Sequence, residues 1–499
     1  MKIKLPPSNG ENLKTVLEKN GIYINSPCGG NGKCGKCKVL ILNGETSPRP
    51  DEKGYVLACH TKLITECEIL LPESDYIFHS LINGKNLQDC GNFNTVSEEY
   101  KPSIKSINFS SQQNNQENVS FDNENIKYAV CDIGTTNVKI RKFEGNKISE
   151  CFFKNPQFPF GGDVISRIAN SKNGGYITQC KLIRDAILSR IGDVDLVYIC
   201  GNPTMMHIFA CIDPSPIGVY PFKCVFTETK YLSKSETNLP FDVILLPSSS
   251  AYIGSDAVVG VSMLWEKEKN ILIADLGTNG EISLIKGGEV YSASTAAGPA
   301  IEGANMEMGV CDINNVVSFV DENGTPHING DEAKGINALG VFSLISYLLK
   351  TKKLTPEGRF ELSVHEKIID NKYYITENVY LSQNDISEFM LAKSAVKTAI
   401  ILLLRETDTC FSDIDELVLT GGLSTDISAD IFARIGLIPK ELKEKTIYIP
   451  NLAITATEKC VNREYLKFVE QLSEKIITLP LNENPLFEEE FILNIFFDD

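Results

Sequence analysis

The chain has 499 residues, enough for about three domains of ordinary size and a sizeable buried core. Acidic residues outnumber basic ones, 65 to 48, and the net charge of −17 argues against a protein that grips a phosphate backbone, which needs a basic face. The opening residues hold no apolar stretch fit for a signal peptide, and the longest strongly apolar run, residues 399–404, is far too short to span a bilayer, so the expectation is a cytoplasmic protein with no membrane and no nucleic-acid partner.

Fifteen cysteines are too many to be disulfides in a reducing compartment, so ligand spacing becomes the question. KIKL at 2–5 predicts a strand, and residues 12–18 a short helix. Cys28, Cys34 and Cys37 follow in SPCGGNGKCGKCKV, and Cys59 in YVLACHT, a C-x5-C-x2-C-x21-C pattern. Four thiolates around two irons need three ligands on one wrapping loop and a fourth delivered from elsewhere. Gly29, Gly30, Gly32 and Gly35 let that loop curl and turn N–H groups towards inorganic sulfide. The pattern reads as a [2Fe–2S] site. The competing reading is structural zinc, but such sites usually show two C-x2-C pairs, and one stands here. KVLIL and CEILL complete a small ferredoxin-like fold as strands. The remaining cysteines show no ligand spacing and read as reduced core residues.

Residues 1–91 carry 11 Lys and Arg against 10 Asp and Glu, so the acidic surplus belongs to the rest of the chain. Lys33, Lys36 and Lys38 form a basic collar on the cysteine loop. It either steers an acidic electron donor, a small ferredoxin or flavodoxin, or merely solubilises the loop. Residues 92–127 are crowded with Asn, Gln and Ser and have little apolar period. They predict a flexible linker, the alternative being a long surface loop within one domain.

Beyond the linker the texture becomes α/β. Residues 128–132, YAVCD, read as a buried strand ending at Asp132 and entering the turn Gly134-Thr135-Thr136-Asn137, after which VKIRKF resumes as a strand. Residues 271–275 repeat the design: ILIAD ends at Asp275, the turn is Gly277-Thr278-Asn279-Gly280, and EISLI follows. The two aspartates are 143 residues apart, which predicts two related halves. Glycine and small hydroxyl residues let backbone N–H groups approach phosphate oxygens, and an Asp at a strand end can hold Mg²⁺ through its waters. No G-x-x-x-x-G-K-[ST] loop is present, which excludes a P-loop NTPase. Taken singly, either turn is an ordinary hairpin. A long amphipathic helix is predicted over 385–405, followed by a strand at 416–420 that ends in Gly421-Gly422, where a flat adenosine can lie against bare backbone. Two such hairpins and a strand–Gly-Gly element match the actin, hexokinase and heat-shock-chaperone superfamily of ATPases.

The whole chain resembles the reductive activators of corrinoid proteins, ATP-dependent iron–sulfur proteins of anaerobes. The resemblance rests on CGGNGKCGKC, DIGTTNVKI, NPQFPFGGDVISRI, GNPTMMHIF, LPSSSAYIGSDAVVG, DLGTNGEI, STAAGPAIEGANMEMGV and QNDISEFMLAKSAVKTAI, together with the acidic aromatic end. It implies an α+β and α/β multidomain protein: an N-terminal β-grasp, ferredoxin-like domain at 1–76, a linker at 77–127, and a duplicated actin-like ATPase domain of two subdomains at 128–499. The implied activity is ATP-dependent return of a corrinoid protein of a methyltransferase system from Co(II) to Co(I), with a [2Fe–2S] cluster, ATP and Mg²⁺ as cofactors, in a homodimer.

By the same resemblance Cys28, Cys34, Cys37 and Cys59 ligate the cluster. Gly134, Thr135, Thr136, Gly277, Thr278, Asn279 and Gly280 hold phosphates, while Asp132 and Asp275 place Mg²⁺ and the attacking water. Gly421 and Gly422 face the adenosine, and Gly298, Pro299 and Glu302 border the cleft or form a tight turn into a helix. Asp256 positions water or caps a helix. Asp163 reads as a helix cap and His207 as a satisfied core histidine. Larger relatives carry a further middle segment, for which only the polar linker stands here. Leu423-Ser424 and IPNLAITATEKC depart from the family pattern on the adenosine side. A redox-sensing or assembly ATPase, and a kinase with an accessory cluster, are the other activities this architecture admits.

Overall fold

The computed structural model describes residues 2–20, 22–24, 26, 28–32, 34–71, 94–95, 127–145, 147–277, 279–303, 306–310, 315–361, 368–421 and 428–498. They form two compact units, Met1–Pro247 with Ile454–Glu470, and Ser248–Ala453 with Gln471–Asp499.

The first unit opens with four antiparallel strands in the order Lys2–Leu5, Cys67–Leu70, Lys38–Asn43, Tyr55–Leu57. The expected helix forms at Leu13–Lys19. Asn12 caps it, its side chain accepting from the Thr15 N–H at 2.9 Å, and Leu13 and Leu17 bury in one core with Val39, Val56 and Ile69. A core this small is marginal unless something staples it. Of the expected linker only Asn94, Thr95 and Lys127 lie among the described residues, so the expectation of flexibility falls outside them. Asn94–Thr95 pairs with Ser149 and Glu150 as an edge strand of the next sheet.

That sheet has the order Lys230–Leu232, Asp242–Leu245, Leu196–Gly201, Tyr128–Ile133, Asn137–Glu144, Lys147–Lys154, Asn94–Thr95. Tyr128–Ile133 turns into an antiparallel meander through Asn137–Glu144 and Lys147–Lys154. Leu196–Gly201 and Asp242–Leu245 then return parallel on its other side. The second unit holds a sheet of the same plan, ordered Thr446–Tyr448, Glu416–Gly421, Ile271–Leu276, Gly280–Lys286, Glu289–Thr295, Ile477–Thr478. Its meander runs Ile271–Leu276, Gly280–Lys286, Glu289–Thr295, and Glu416–Gly421 and Thr446–Tyr448 return parallel. The 143-residue repeat of the sequence is thus a repeat of topology. The two leading strands are apolar almost throughout because neighbours cover both faces.

The long helix forms at Gln383–Glu406. Ser382 caps it in a reciprocal box with Asp385, and its inner face buries Phe389, Val396, Ile400 and Leu403. Phe342 joins Phe389 and Phe432 at ring separations of 5.5 and 6.2 Å at the centre of this core. The acidic aromatic end is anchored on the same helix. Lys393 donates to the carbonyls of Asn494 and Phe496, and Lys397 pairs with Asp498 at 2.8 Å. Burial, with help from Lys397, depresses the Lys393 ammonium to about 7. Among the described residues no helix is long and apolar enough to cross a membrane.

The duplication reaches one glycine in each half. A β-carbon on Gly201 would lie 2.6 Å from the carbonyl oxygen of Ile133, and one on Gly421 would lie 2.6 Å from that of Leu276. Both strands approach the leading strand too closely for a side chain. Gly201→Ala should therefore cost about 1–3 kcal/mol through forced separation of the two strands. Thermal unfolding reads this directly, and an unchanged midpoint would contradict the close approach.

Candidate functional site

The cysteine loop is shaped by glycines in the left-handed region: Gly29, Gly30, Gly32 and Gly35 have φ of 64°, 92°, 72° and 65°. The four thiols come together as two pairs. Cys28 and Cys34 have sulfurs 3.2 Å apart, and Cys37 and Cys59 have sulfurs 3.3 Å apart. Among the described residues no three His, Cys, Asp or Glu side chains gather as a single ion would require. Two pairs fit two irons, one pair to each, better than one tetrahedral zinc. Backbone N–H groups already point at these sulfurs: those of Lys36 and Cys28 bond Cys34, and that of Gly32 bonds Cys59. Burial pushes the Cys34 thiol up. Burial and then the Cys37 neighbour push Cys59 up to about 12, so binding a cluster must displace protons from thiols that hold them firmly.

In the first sheet Asp132 is the last residue but one of the leading strand. It stands opposite Lys139 across the hairpin and beside Cys200 on the parallel neighbour. Burial raises its carboxyl, and Lys139 and a hydrogen bond from Cys200 offset part of that. The turn that follows is tied down on its carbonyl edge. Asn155 Nδ2 donates to the Gly134 carbonyl at 2.7 Å, Arg167 Nη2 donates to the Thr135 carbonyl, and Asn202 Nδ2 donates to Thr135 Oγ1 at 3.0 Å. Arg167 is fully buried and also donates to the Gly161 carbonyl at 3.0 Å and to Gln157 Oε1 at 3.2 Å. A turn whose carbonyls are held by the protein in this way is the foundation an anion site built from N–H groups needs.

The second turn has the opposite chemistry. Asp275 stands opposite Glu281 across its hairpin, the place Lys139 takes in the first sheet. A small cavity between this sheet and the helix Ser255–Leu264 is lined by Asp256, Asp275, Glu281, Ser283 and Thr420. Burial, followed by the charges of Asp256 and Asp275, pushes the Glu281 carboxyl well above the usual carboxylate range. The three carboxyl groups line one cavity without gathering around a single point, an arrangement suited to Mg²⁺ held largely through its own waters.

The remaining expected site residues fall as follows. Gly277 and Asn279 flank the second turn, and Gly280 opens its outgoing strand. Gly298, at φ 80°, precedes the short 3-10 turn Pro299–Glu302, and Glu302 contributes to the acidity around Glu281. Gly421 ends its strand at φ 131°, and a β-carbon there would come 3.3 Å from Asp275 Oδ1. Thr278 and Gly422 lie outside the described residues, as does Lys33 of the basic collar. Asp163 caps the helix Val164–Ala169, accepting from the Ser166 N–H at 2.8 Å. His207 is a buried core histidine. Its Nε2 accepts from the Val225 N–H at 2.9 Å, so Nδ1 donates to the Pro203 carbonyl at 2.7 Å, and burial holds it below its ordinary value. Asp256 is not a helix cap: Gly254 caps that helix, and Asp256 sits in its first turn with its carboxyl in the acidic cavity.

Lys139, Glu281 and Arg167 are absent from the sequence expectations. The first two become visible once the aspartates are aligned as hairpin partners, because each is the residue directly across from its Asp. Arg167 leaves no local signal, since its partners lie 6 to 38 residues away.

Comparison with known proteins places these parts in one frame. Residues 2–63 match the 2Fe-2S iron-sulfur cluster binding domain, 128–265 the RACo middle region, and 269–499 the C-terminal ASKHA domain of RACo. The middle region coincides with the stretch that holds most of the first duplicated sheet. The corrinoid activation enzyme RamQ of Eubacterium limosum is 28% identical over 418 residues, covering 74% of this chain and 70% of RamQ. The [Co(II) methylated amine-specific corrinoid protein] reductase of Methanosarcina barkeri is 25% identical over 342 residues, 58% of this chain and 60% of that protein. The solved structure of a reductive activator for corrinoid, iron-sulfur protein shares the fold at a TM-score of 0.69 and 21% identity, over 98% of this chain and 96% of that one. With a cluster-binding domain, the middle region and the C-terminal ASKHA domain in that order, the chain belongs to the RACo family of reductive activators of corrinoid proteins.

Proposed function

We propose that this protein is an ATP-dependent reductive activator that returns a corrinoid protein of a methyltransferase system from Co(II) to Co(I). The observation that carries it is the occurrence, in one chain, of four thiols in two pairs, three of them on a glycine loop, and a duplicated sheet whose hairpins set Asp132 against Lys139 and Asp275 against Glu281. A [2Fe–2S] cluster bound by Cys28, Cys34, Cys37 and Cys59 supplies the one-electron carrier. The step is uphill: each deficit of about 59 mV costs a factor of ten in a one-electron equilibrium, so hydrolysis must supply free energy.

The residues divide the nucleotide work by charge. Gly134, Thr135 and Thr136, braced by Asn155 and Arg167, offer the phosphate seat, and Lys139 and Asp132 border it. Asp275, Asp256 and Glu281 hold Mg²⁺ through its waters and orient the attacking water, with Gly277, Thr278, Asn279 and Gly280 forming the second phosphate turn. Gly298, Gly421 and Gly422 lie on the adenosine side. The domains run 1–76, 77–127 and 128–499. The protein acts in the cytoplasm as a homodimer and is reduced by a small ferredoxin or flavodoxin steered by Lys36 and Lys38.

Two experiments test this division. A raised Glu281 carboxyl means that the folded, metal-free chain is favoured when that group is protonated. Its stability contribution is therefore present at low pH and is lost as pH rises through the folded value. Glu281→Gln should melt higher than the wild type at about pH 8 with chelator present, and the gap should close below about pH 4. Mg²⁺ should stabilise the wild type more than the variant. A variant no more stable than the wild type at pH 8 without Mg²⁺ would contradict the assignment.

The second experiment separates the halves. Cys37→Ser should lose the cluster absorption and corrinoid reduction while still binding ATP. Asp275→Asn should keep the cluster and lose ATP turnover by about 100-fold or more. Loss of ATP binding in the cysteine variant, or unimpaired turnover in the aspartate variant, would count against the assignment.

A further inference from the structure

The cysteine loop and the first nucleotide turn are gripped by one short element, the helix Val164–Ala169 and its capping residue Asn170. On one side Asn170 Nδ2 makes a long hydrogen bond, 3.4 Å, to the carbonyl of Gly29, the residue after Cys28. The packing there is tight: a β-carbon on Gly29 would lie 2.6 Å from Asn170 Nδ2 and 3.5 Å from Ser166 Cβ. On the other side Arg167, buried, holds the Thr135 carbonyl of the turn. A second contact ties the same two regions. Tyr23 packs on Phe160 with ring centres 5.5 Å apart, beside Leu182, and the chain after Phe160 presents the Gly161 carbonyl that Arg167 also holds. Asn170 is itself fixed, its Nδ2 also donating to the Ser166 carbonyl at 2.9 Å.

We propose that this helix couples the nucleotide turn to the seating of the cluster domain, with Asn170 as the positioning residue at the cluster end and Arg167 at the nucleotide end. The inference rests on the reading that Gly134-Thr135-Thr136 binds nucleotide phosphate. A polyanion arriving at that turn acts on the guanidinium beneath it, and any shift of Arg167 moves the helix that holds Gly29. Coupling of this kind is reciprocal: if nucleotide changes the seating equilibrium by some factor, seating changes nucleotide affinity by the same factor. It also runs through a continuous path, Gly29 to Asn170, along the helix backbone to Arg167, and on to Thr135, and so can be cut at a named place.

The test uses the full-length, cluster-loaded protein and hydrogen exchange of the peptides covering 26–37 and 161–171, with and without a non-hydrolysable ATP analogue. Nucleotide should change exchange of the cysteine loop by about fivefold or more in the wild type. In Asn170→Ala the 161–171 peptide should still respond while the cysteine-loop response falls to less than half. Tyr23→Ala, which loosens the second contact, should weaken the loop response in the same way and shift nucleotide affinity. A variant that fails to retain cluster absorption is replaced by the other. Nucleotide binding with no response in the loop, or with equal loop responses in wild type and both variants, overturns the coupling and leaves the proposed function standing. Absence of nucleotide binding to the wild type removes both.

Discussion

A buried guanidinium is tolerable only where its donors are met, and Arg167 meets them almost entirely with backbone and amide oxygens. That single side chain fixes the Thr135 carbonyl, and with Asn155 on Gly134 it orients the turn that follows the leading strand. The surrounding Asn155, Gln157, Ser171 and Gln179 are themselves buried, so the turn stands on a polar floor inside an otherwise apolar layer. Removing one member leaves the others unsatisfied, which makes the floor rigid. A rigid floor is what allows a loop of Gly and Thr to act as a fixed site rather than a mobile hairpin.

The two halves began from one plan and diverged in charge. Each leading strand carries Asp as its last residue but one, each is flanked by a parallel strand ending in a glycine, and each is followed by a Gly-Thr turn. Across the hairpin the first half places Lys139 and the second Glu281. The first half therefore suits anionic oxygen and the second suits a cation. The two duplicated hairpins thus differ in charge at one register position.

The sequence made the cysteine site legible because three of its ligands share one loop, and the glycines between them announce the conformation that loop must adopt. The duplicated sheets were legible for a similar reason: the Asp-x-Gly-Thr signal is local and occurs twice. Residues whose meaning depends on pairing were harder to see. Glu281 in DLGTNGEI looks like an ordinary exposed strand residue until its register sets it against Asp275, where burial and two neighbouring carboxylates change its chemistry. In the sequence Asp256 stands evenly between cap and site, and only the position of Gly254 decides that it is not the cap. The contact between Gly29 and Asn170 spans 141 residues and has no counterpart in local pattern at all.

The central claim is that one chain joins a cluster domain to an ATPase so that hydrolysis drives an unfavourable electron transfer to cobalt. The direct measurement is anaerobic. The reconstituted protein, kept reduced, is mixed with a Co(II) corrinoid protein from the same source, and the Co(I) absorption band is followed before and after ATP is added. The account predicts that the band appears only after ATP, and with every cysteine ligand intact. Equal Co(I) formation with and without ATP, or none with any cognate corrinoid protein, would contradict it.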